Sequence, residues 1–257
     1  MSNLELTRFS ITDEQLSQMP IKDAVVLMQM AYLSNTLDAL QNLFVCTMTT
    51  KDDDDEVMRD ANATMHNLVA RVLAGVVFDA WQVFGRSFFD TGLSMIDEPK
   101  LKEEGKNALA EVTKYFGRRN LIKGIGEKLW FHCDPDEIRS EIKHRRAAGM
   151  EHVFFLGPQQ GYSLFHAAES IVSMAMVRSV GLDVGEDSAE VAYADFHDEV
   201  TTVARQLCVL AHHCVAAILN KHFPEGGSTV TATGIPRMDE VRIPYFVVAP
   251  PREMPWE

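Results

Sequence analysis

Apolar side chains recur at helical spacing through much of this chain. In residues 21–48 they follow a 4-3-4-3-4 spacing, and related stripes run through 57–89 and 188–222. Such spacing lines up apolar groups on one helix face, which is stabilised by packing against other helices. The stripes are Val26, Met30, Leu33, Leu37, Leu40 and Phe44; Val69, Leu73, Val76, Ala80 and Val83; and Val200, Val203, Leu207, Leu210, Cys214 and Ala217. The sequence therefore predicts an all-α helical bundle domain over residues 1–223.

The last 34 residues lack the helical pattern of the rest of the chain. The segment 224–227, Pro-Glu-Gly-Gly, ends the final helical pattern, and residues 228–233 then alternate Ser or Thr with Val and Ala. Residues 241–248 are rich in β-branched and aromatic side chains, which favour strands. We therefore expect residues 224–257 to form an extended arm or a β-hairpin, with a disordered end as the alternative.

The composition is typical of a globular protein and disfavours a membrane-spanning or secreted one. The 257 residues are 46% hydrophobic, enough for a sizeable core, and we find no run approaching the ~20 apolar residues that a membrane-spanning helix needs. The first residues lack the basic start and apolar stretch of a secretory signal. The four cysteines form no Cys-x-x-Cys pair, which favours free thiols. We expect a cytoplasmic protein with no membrane contact and no cofactor.

The charge distribution is uneven. The formal net charge of −13 opposes indiscriminate binding to nucleic acid, because such binding needs Lys and Arg to neutralise phosphate. Residues 112–146 nevertheless hold nine basic and five acidic side chains. Three of these basic residues lie close together and are candidates for binding RNA or a phosphate: Arg118, Arg119 and Lys123.

The end of this basic segment contains the best candidate for chemistry. Lys128 and His132 are four residues apart, so a helix would place them on one face. Histidine titrates near neutral pH and can move protons, and a nearby cation can hold a phosphate. His132 and Lys128 are therefore candidate catalytic residues. The alternative is that His132 is a packed or capping histidine at a helix end.

The segment from Asn120 to His132 resembles the motif helix of HEPN-type proteins, a group of α-helical bundles. The usual form of that motif is Arg-Asn-Lys-x-x-Phe-His, and Lys128, Phe131 and His132 match it. The resemblance extends upstream to 73–75 and 79–81, and downstream to 155–157 and 161–165. It implies a HEPN-like bundle that forms a homodimer. In active members it implies metal-independent RNA cleavage, with the histidine moving protons and the arginine stabilising phosphate.

This sequence departs from the motif at its arginine. Gly126 stands where the arginine is expected, and Glu127 stands where the asparagine is expected. Loss of the arginine removes a bidentate contact to phosphate, and a lost electrostatic group of this kind costs on the order of 10²–10³ in rate. We therefore expect a non-catalytic binding module that contacts RNA or nucleotide. One alternative is a ribonuclease that uses His132 with a relocated arginine, such as Arg118 or Arg119.

A third hypothesis is a helical-bundle metal-binding protein. Cys208 and His212 share a helix face, but two ligands do not complete a zinc site. Other donors could join them in a bundle core: His213, His166, Glu169, Asp195, His197 and Asp198. A di-metal bundle normally has Glu-x-x-His on two helices, and neither of the helices carrying these donors has it here, so the sequence predicts no metal site. A second Arg-x5-His match, Arg146 with His152, is interpreted as chance.

Overall fold

A computed structural model describes residues 2–48, 54–89, 100–128, 134–149, 152–157, 163–179, 189–241 and 243–246. Within these ranges the chain forms eight α-helices and two β-strands, which confirms the prediction of a mainly helical bundle. The helices are α1 (Asp13–Gln18), α2 (Ile21–Thr47), α3 (Glu56–Phe84), α4 (Glu103–Phe116), α5 (Leu121–Lys128), α6 (Pro135–Ala148), α7 (His166–Ser179) and α8 (Ala189–His222). The strands are β1 (Ser2–Arg8) and β2 (Ser228–Ile235), and a π-helical turn, Gly85–Phe89, continues α3.

Local sequence explains where several helices begin and end. The Asp55 carboxylate accepts from the backbone N–H of Met58 at 2.8 Å and caps the start of α3. Asp134 caps α6, and Pro135 occupies its first turn, where a missing N–H costs nothing. That helix ends at Gly149, whose φ of 67° is the left-handed conformation that favours glycine.

The long helix α8 lies at the centre of the bundle and packs against α2, α3 and α4. Helix α3 also packs against α2, α5 and α7, and α7 in turn contacts α6. The predicted stripes supply the core, because the following side chains are fully buried: Met30, Leu37, Leu73, Ala80, Val200, Leu207 and Leu210.

Two stretches of helix among the described residues are long and apolar enough to cross a bilayer by length and composition alone, Glu56–Phe89 and Ala194–His222. In each, about half of the most apolar window is buried inside the bundle, and core helices of soluble proteins pass the same test. The expected absence of membrane contact therefore stays a prediction.

The two strands pair to form a two-stranded ribbon, which brings the N-terminal residues next to the segment that follows α8. They pair antiparallel, with Leu4 opposite Ala232 and Leu6 opposite Val230. The strand expected in the arm is therefore present, but its partner is the N-terminal strand β1, for which the sequence analysis made no prediction. The last eleven residues, 247–257, lie outside the described part of the chain.

Candidate functional site

Helix α5 carries the first part of the motif. The side chain of Asn120 holds its start, accepting from the backbone N–H of Lys123 at 2.8 Å and donating to the carbonyl of Arg118 at 2.9 Å. Ile122 and Ile125 are fully buried, so α5 is an integral part of the core. These contacts place Gly126 against α3.

Gly126 occupies a tight helix–helix contact. A Cβ atom built at this position would lie 2.4 Å from Cγ and Cδ1 of the Phe78 ring. Such a distance is far inside van der Waals contact, so any side chain at 126 requires Phe78 to move. Position 126 therefore packs directly against Phe78 of α3.

His132 lies outside the described residues, and so does Phe131. Lys128 ends α5, and only its backbone is described. The structure therefore leaves the proximity of His132 and Lys128 as a prediction from helical spacing.

The three predicted phosphate-binding residues lie at the junction of α4 and α5. Arg118 and Arg119 follow the last turn of α4, Lys123 lies in the first turn of α5, and all three are exposed. Arg118 also lines a cleft between α4 and α8 with a volume of about 400 Å³. Sequence analysis found Arg118 but not the cleft, because the cleft depends on how the two helices pack.

The cleft carries charges of both signs. Lys114 and Arg118 line it together with Glu111, Asp198 and Glu199. Its remaining lining includes the polar side chains of Tyr115, Thr202 and Gln206. Volumes of roughly 300–1,000 Å³ with a few converging polar groups are typical of small-molecule sites. The cleft can therefore satisfy a ligand that has both an anionic group and hydrogen-bond donors.

One wall of the cleft is held in place by Tyr115 and Glu199. The Tyr115 hydroxyl donates to Glu199 Oε1 in a short hydrogen bond, and the backbone N–H of Ile122 donates to the Tyr115 hydroxyl at 3.3 Å. Leu121 N–H also donates to Glu199 Oε1, at 3.4 Å. Burial and the adjacent Glu199 carboxylate raise the pKa of Tyr115 above its usual value. Tyr115 therefore stays protonated and ties α4, α5 and α8 together.

Most of the residues considered for a metal are kept apart. His166 Nδ1 lies 2.9 Å from the Thr64 hydroxyl, and Glu169 pairs with Arg71 at 3.1 Å. His213 pairs with Glu104 at 3.5 Å. These side chains stabilise contacts between helices and do not converge with Cys208.

Cys208 and His212 do converge, on a third residue that sequence analysis missed. Asp38 of α2 lies with its Oδ1 atom 2.8 Å from Cys208 Sγ and its Oδ2 atom 3.3 Å from His212 Nε2. The candidate ligand atoms of these three residues all lie within 4.8 Å of one another. Burial and the Asp38 carboxylate raise the pKa of the Cys208 thiol to about 12. The thiol is therefore a hydrogen-bond donor to Asp38.

Two histidines form a second cluster between α3 and α8. His66 Nε2 lies 3.3 Å from His197 Nδ1, and the ring of Phe44 packs against both. Burial lowers the pKa of His66, and burial together with His66 lowers the pKa of His197 to about 4. Both imidazoles are therefore neutral at neutral pH, which suits packing inside the bundle.

Comparisons with known proteins give no family for this chain. No family model matches it, no curated protein matches it, and no solved structure matches it. The arguments about function therefore depend on the motif and on the geometry described above.

Proposed function

We propose that this chain is a HEPN-like helical binding module that lacks the ribonuclease activity of active family members. The observation that carries the proposal is the contact between Gly126 and Phe78. An arginine at 126 would have to displace an aromatic ring at the contact between α5 and α3. This contact supports the proposal that the chain does without the arginine on which cleavage depends in active family members.

Arg118, one of the candidate replacements for that arginine, lies among acidic side chains. Arg118 lines a cleft with three carboxylates, those of Glu111, Asp198 and Glu199. Carboxylates repel a phosphodiester and attract the guanidinium, which reduces its power to stabilise a transition state. This setting argues against catalysis by Arg118.

The cleft between α4 and α8 is the proposed ligand site, and a nucleotide is the ligand class that fits it. Lys114 and Arg118 would hold a phosphate, with Arg118 able to bind two of its oxygens. Acidic side chains accept hydrogen bonds from ribose hydroxyls and from exocyclic amino groups, and Asp198 and Glu199 can do this here. A continuous RNA backbone would bring several phosphates near these carboxylates, whereas a nucleotide brings one, which Lys114 and Arg118 can neutralise, so a single nucleotide is favoured over a long RNA.

The module acts as a homodimer, and the β1–β2 ribbon supports this part of the proposal. The pairing register places Leu4, Leu6, Val230 and Ala232 on one face of the ribbon. Leu4, Leu6 and Val230 are 49%, 46% and 36% exposed. An isolated two-stranded ribbon is marginally stable in water, and a second copy related by a two-fold axis would cover the apolar face of each ribbon.

Calorimetric titration with the four ribonucleoside 5′-monophosphates tests the ligand assignment. We expect at least one of them to bind at low salt, and we expect Arg118→Ala to weaken that binding at least about tenfold, since charge-assisted hydrogen bonds contribute about 1.5–3 kcal/mol. Arg59→Ala is the matched control, because Arg59 is an exposed arginine on α3 outside the cleft. Failure of all four nucleotides to bind would rule out the nucleotide assignment.

A further inference from the structure

We propose that Asp38, Cys208 and His212 form a binding site for a single zinc ion between α2 and α8. This site is separate from the proposed nucleotide cleft and does not depend on it. The sequence offers Cys208 and His212 as a pair on one helix face, and the fold supplies the third ligand from the neighbouring helix.

The three donors match the chemistry that zinc prefers. Thiolate, imidazole and carboxylate are its usual protein ligands, and three of them with a water in the fourth position form a common open site. In a tetrahedral site with bonds of about 2.0–2.3 Å, ligand atoms lie about 3.3–3.7 Å apart. Asp38 Oδ1 lies 2.8 Å from Cys208 Sγ, Asp38 Oδ2 lies 3.3 Å from His212 Nε2, and the candidate ligand atoms of the three residues lie within 4.8 Å of one another. Binding an ion would therefore need the three side chains to adjust so that one oxygen of Asp38 faces the ion together with the sulfur and the imidazole nitrogen.

The backbones and neighbouring groups around the three residues hold them in a defined arrangement. Helices α2 and α8 form one of the most extensive contacts in the bundle, so the backbones that carry the ligands are held together. The Ser34 hydroxyl donates to Asp38 Oδ2 at 3.5 Å and lies 3.9 Å from Cys208 Sγ, so it can orient the carboxylate. Such support from neighbouring groups is what a metal ligand requires.

The cluster is open on one side. Cys208 is buried, whereas the side chains of His212 and Asp38 are 60% and 46% exposed. An ion can therefore enter from solvent and keep a water molecule as its fourth ligand. On binding, the Cys208 thiol releases its proton to solvent, and the ion takes the place of the hydrogen bond between the thiol and Asp38.

Cobalt titration tests the site, because Co²⁺ takes the same ligands as Zn²⁺ and reports a bound thiolate through sulfur-to-cobalt charge-transfer absorption. The full chain is reduced, freed of metal with EDTA, separated from EDTA and titrated with Co²⁺. We expect one Co²⁺ per chain, a charge-transfer band, and loss of that band when Zn²⁺ is added. Cys208→Ser should remove the band, and Asp38→Asn and His212→Gln should each weaken binding at least about tenfold.

Matched variants decide which thiol is responsible. Cys214→Ser changes a second buried cysteine of α8, and His152→Gln changes an exposed histidine outside the cluster, so both should bind Co²⁺ like the wild type. Circular dichroism checks that each variant is folded. If Cys208→Ser unfolds, His212→Gln tests the site instead, because the His212 side chain is exposed and its replacement should leave the fold intact. The proposal is overturned if the wild type takes up no stoichiometric Co²⁺, or if folded Cys208→Ser or His212→Gln binds as tightly as the wild type.

Discussion

Gly126 and Phe78 are in a contact so close that a Cβ atom on the glycine would lie 2.4 Å from the phenylalanine ring. This contact fixes the separation of α5 from α3. Under the proposed alignment with the HEPN-type motif, position 126 is that of the motif arginine, and in this chain it is a packing position. A side chain at position 126 would therefore disturb the packing of these two helices.

Adding one methyl group at this contact should destabilise the fold. Overpacking a well-filled interior costs about 1–3 kcal/mol, which exceeds the gain of up to about 1 kcal/mol in helix propensity when glycine becomes alanine. We expect Gly126→Ala to lower the free energy of unfolding in urea by up to about 2 kcal/mol, the overpacking cost less the propensity gain. Gly85→Ala is the control, because no atom lies within 4 Å of its Cβ position, and it should be neutral or stabilising. Equal behaviour of the two variants would contradict the packing argument.

The ion pairs of Glu141 in α6, one with Arg145 of the same helix and one with Arg178 of α7, should contribute strongly to stability. Glu141 is 2% exposed and pairs with Arg145 and Arg178, each at 2.8 Å. Glu141→Gln would remove the negative charge that both guanidinium groups contact, and we expect a loss of about 3 kcal/mol in chemical denaturation. The exposed pair of Asp136 with Arg139 is the comparison, and Asp136→Asn should cost less than about 1 kcal/mol. A small effect of Glu141→Gln would show that these charges are well solvated.

Acid should weaken the fold through His66 and His197. The pKa of His197 is about 4 in the folded chain, against about 6.5 when unfolded, so between these values the unfolded chain binds more protons. The contribution of His197 is complete above pH 6.5 and is lost as the pH falls towards 4. We expect His197→Phe, which keeps a ring beside Phe44, to show a shallower loss of stability over that interval. The expected difference is about 2 kcal/mol. Identical pH profiles would contradict the assignment.

If the ribbon is the dimer interface, as proposed, a charge on its apolar face should prevent dimerisation. Leu6→Glu places a charge on the apolar face of the ribbon and should convert the dimer to a monomer in light scattering at micromolar concentration. Thr7→Glu places the same charge on the opposite face and should leave the dimer intact, because neighbouring residues of a strand point to opposite sides. A wild-type protein that is monomeric throughout, or a dimer unaffected by Leu6→Glu, would remove the ribbon as the interface.

Sequence periodicity predicted the bundle well because the core depends on it. The apolar stripes of α2, α3 and α8 are the side chains that pack in the interior, among them Leu37, Leu73 and Leu207. Strand β1 was missed, although Leu4, Glu5, Leu6 and Thr7 alternate as a strand requires. That stretch is too short for alternation alone to identify its partner, β2.

The sites depend on relationships that periodicity does not contain. Asp38 lies beside the apolar stripe of α2 and looks like an ordinary surface carboxylate, because its distance from Cys208 depends on how α2 and α8 are aligned. Likewise, the resemblance to the HEPN-type motif predicts an arginine at position 126, but only the approach of Phe78 explains why a side chain is excluded there. The proximity of Lys128 and His132 stays a prediction from helical spacing, because His132 lies outside the described residues.

The most direct test of the central claim is an RNA cleavage assay in EDTA that compares the wild type with His132→Ala. A binding module without the motif arginine should leave a labelled single-stranded RNA intact, so the two proteins should give the same background. Cleavage by the wild type that disappears in His132→Ala would contradict the account and would require a relocated arginine within reach of His132.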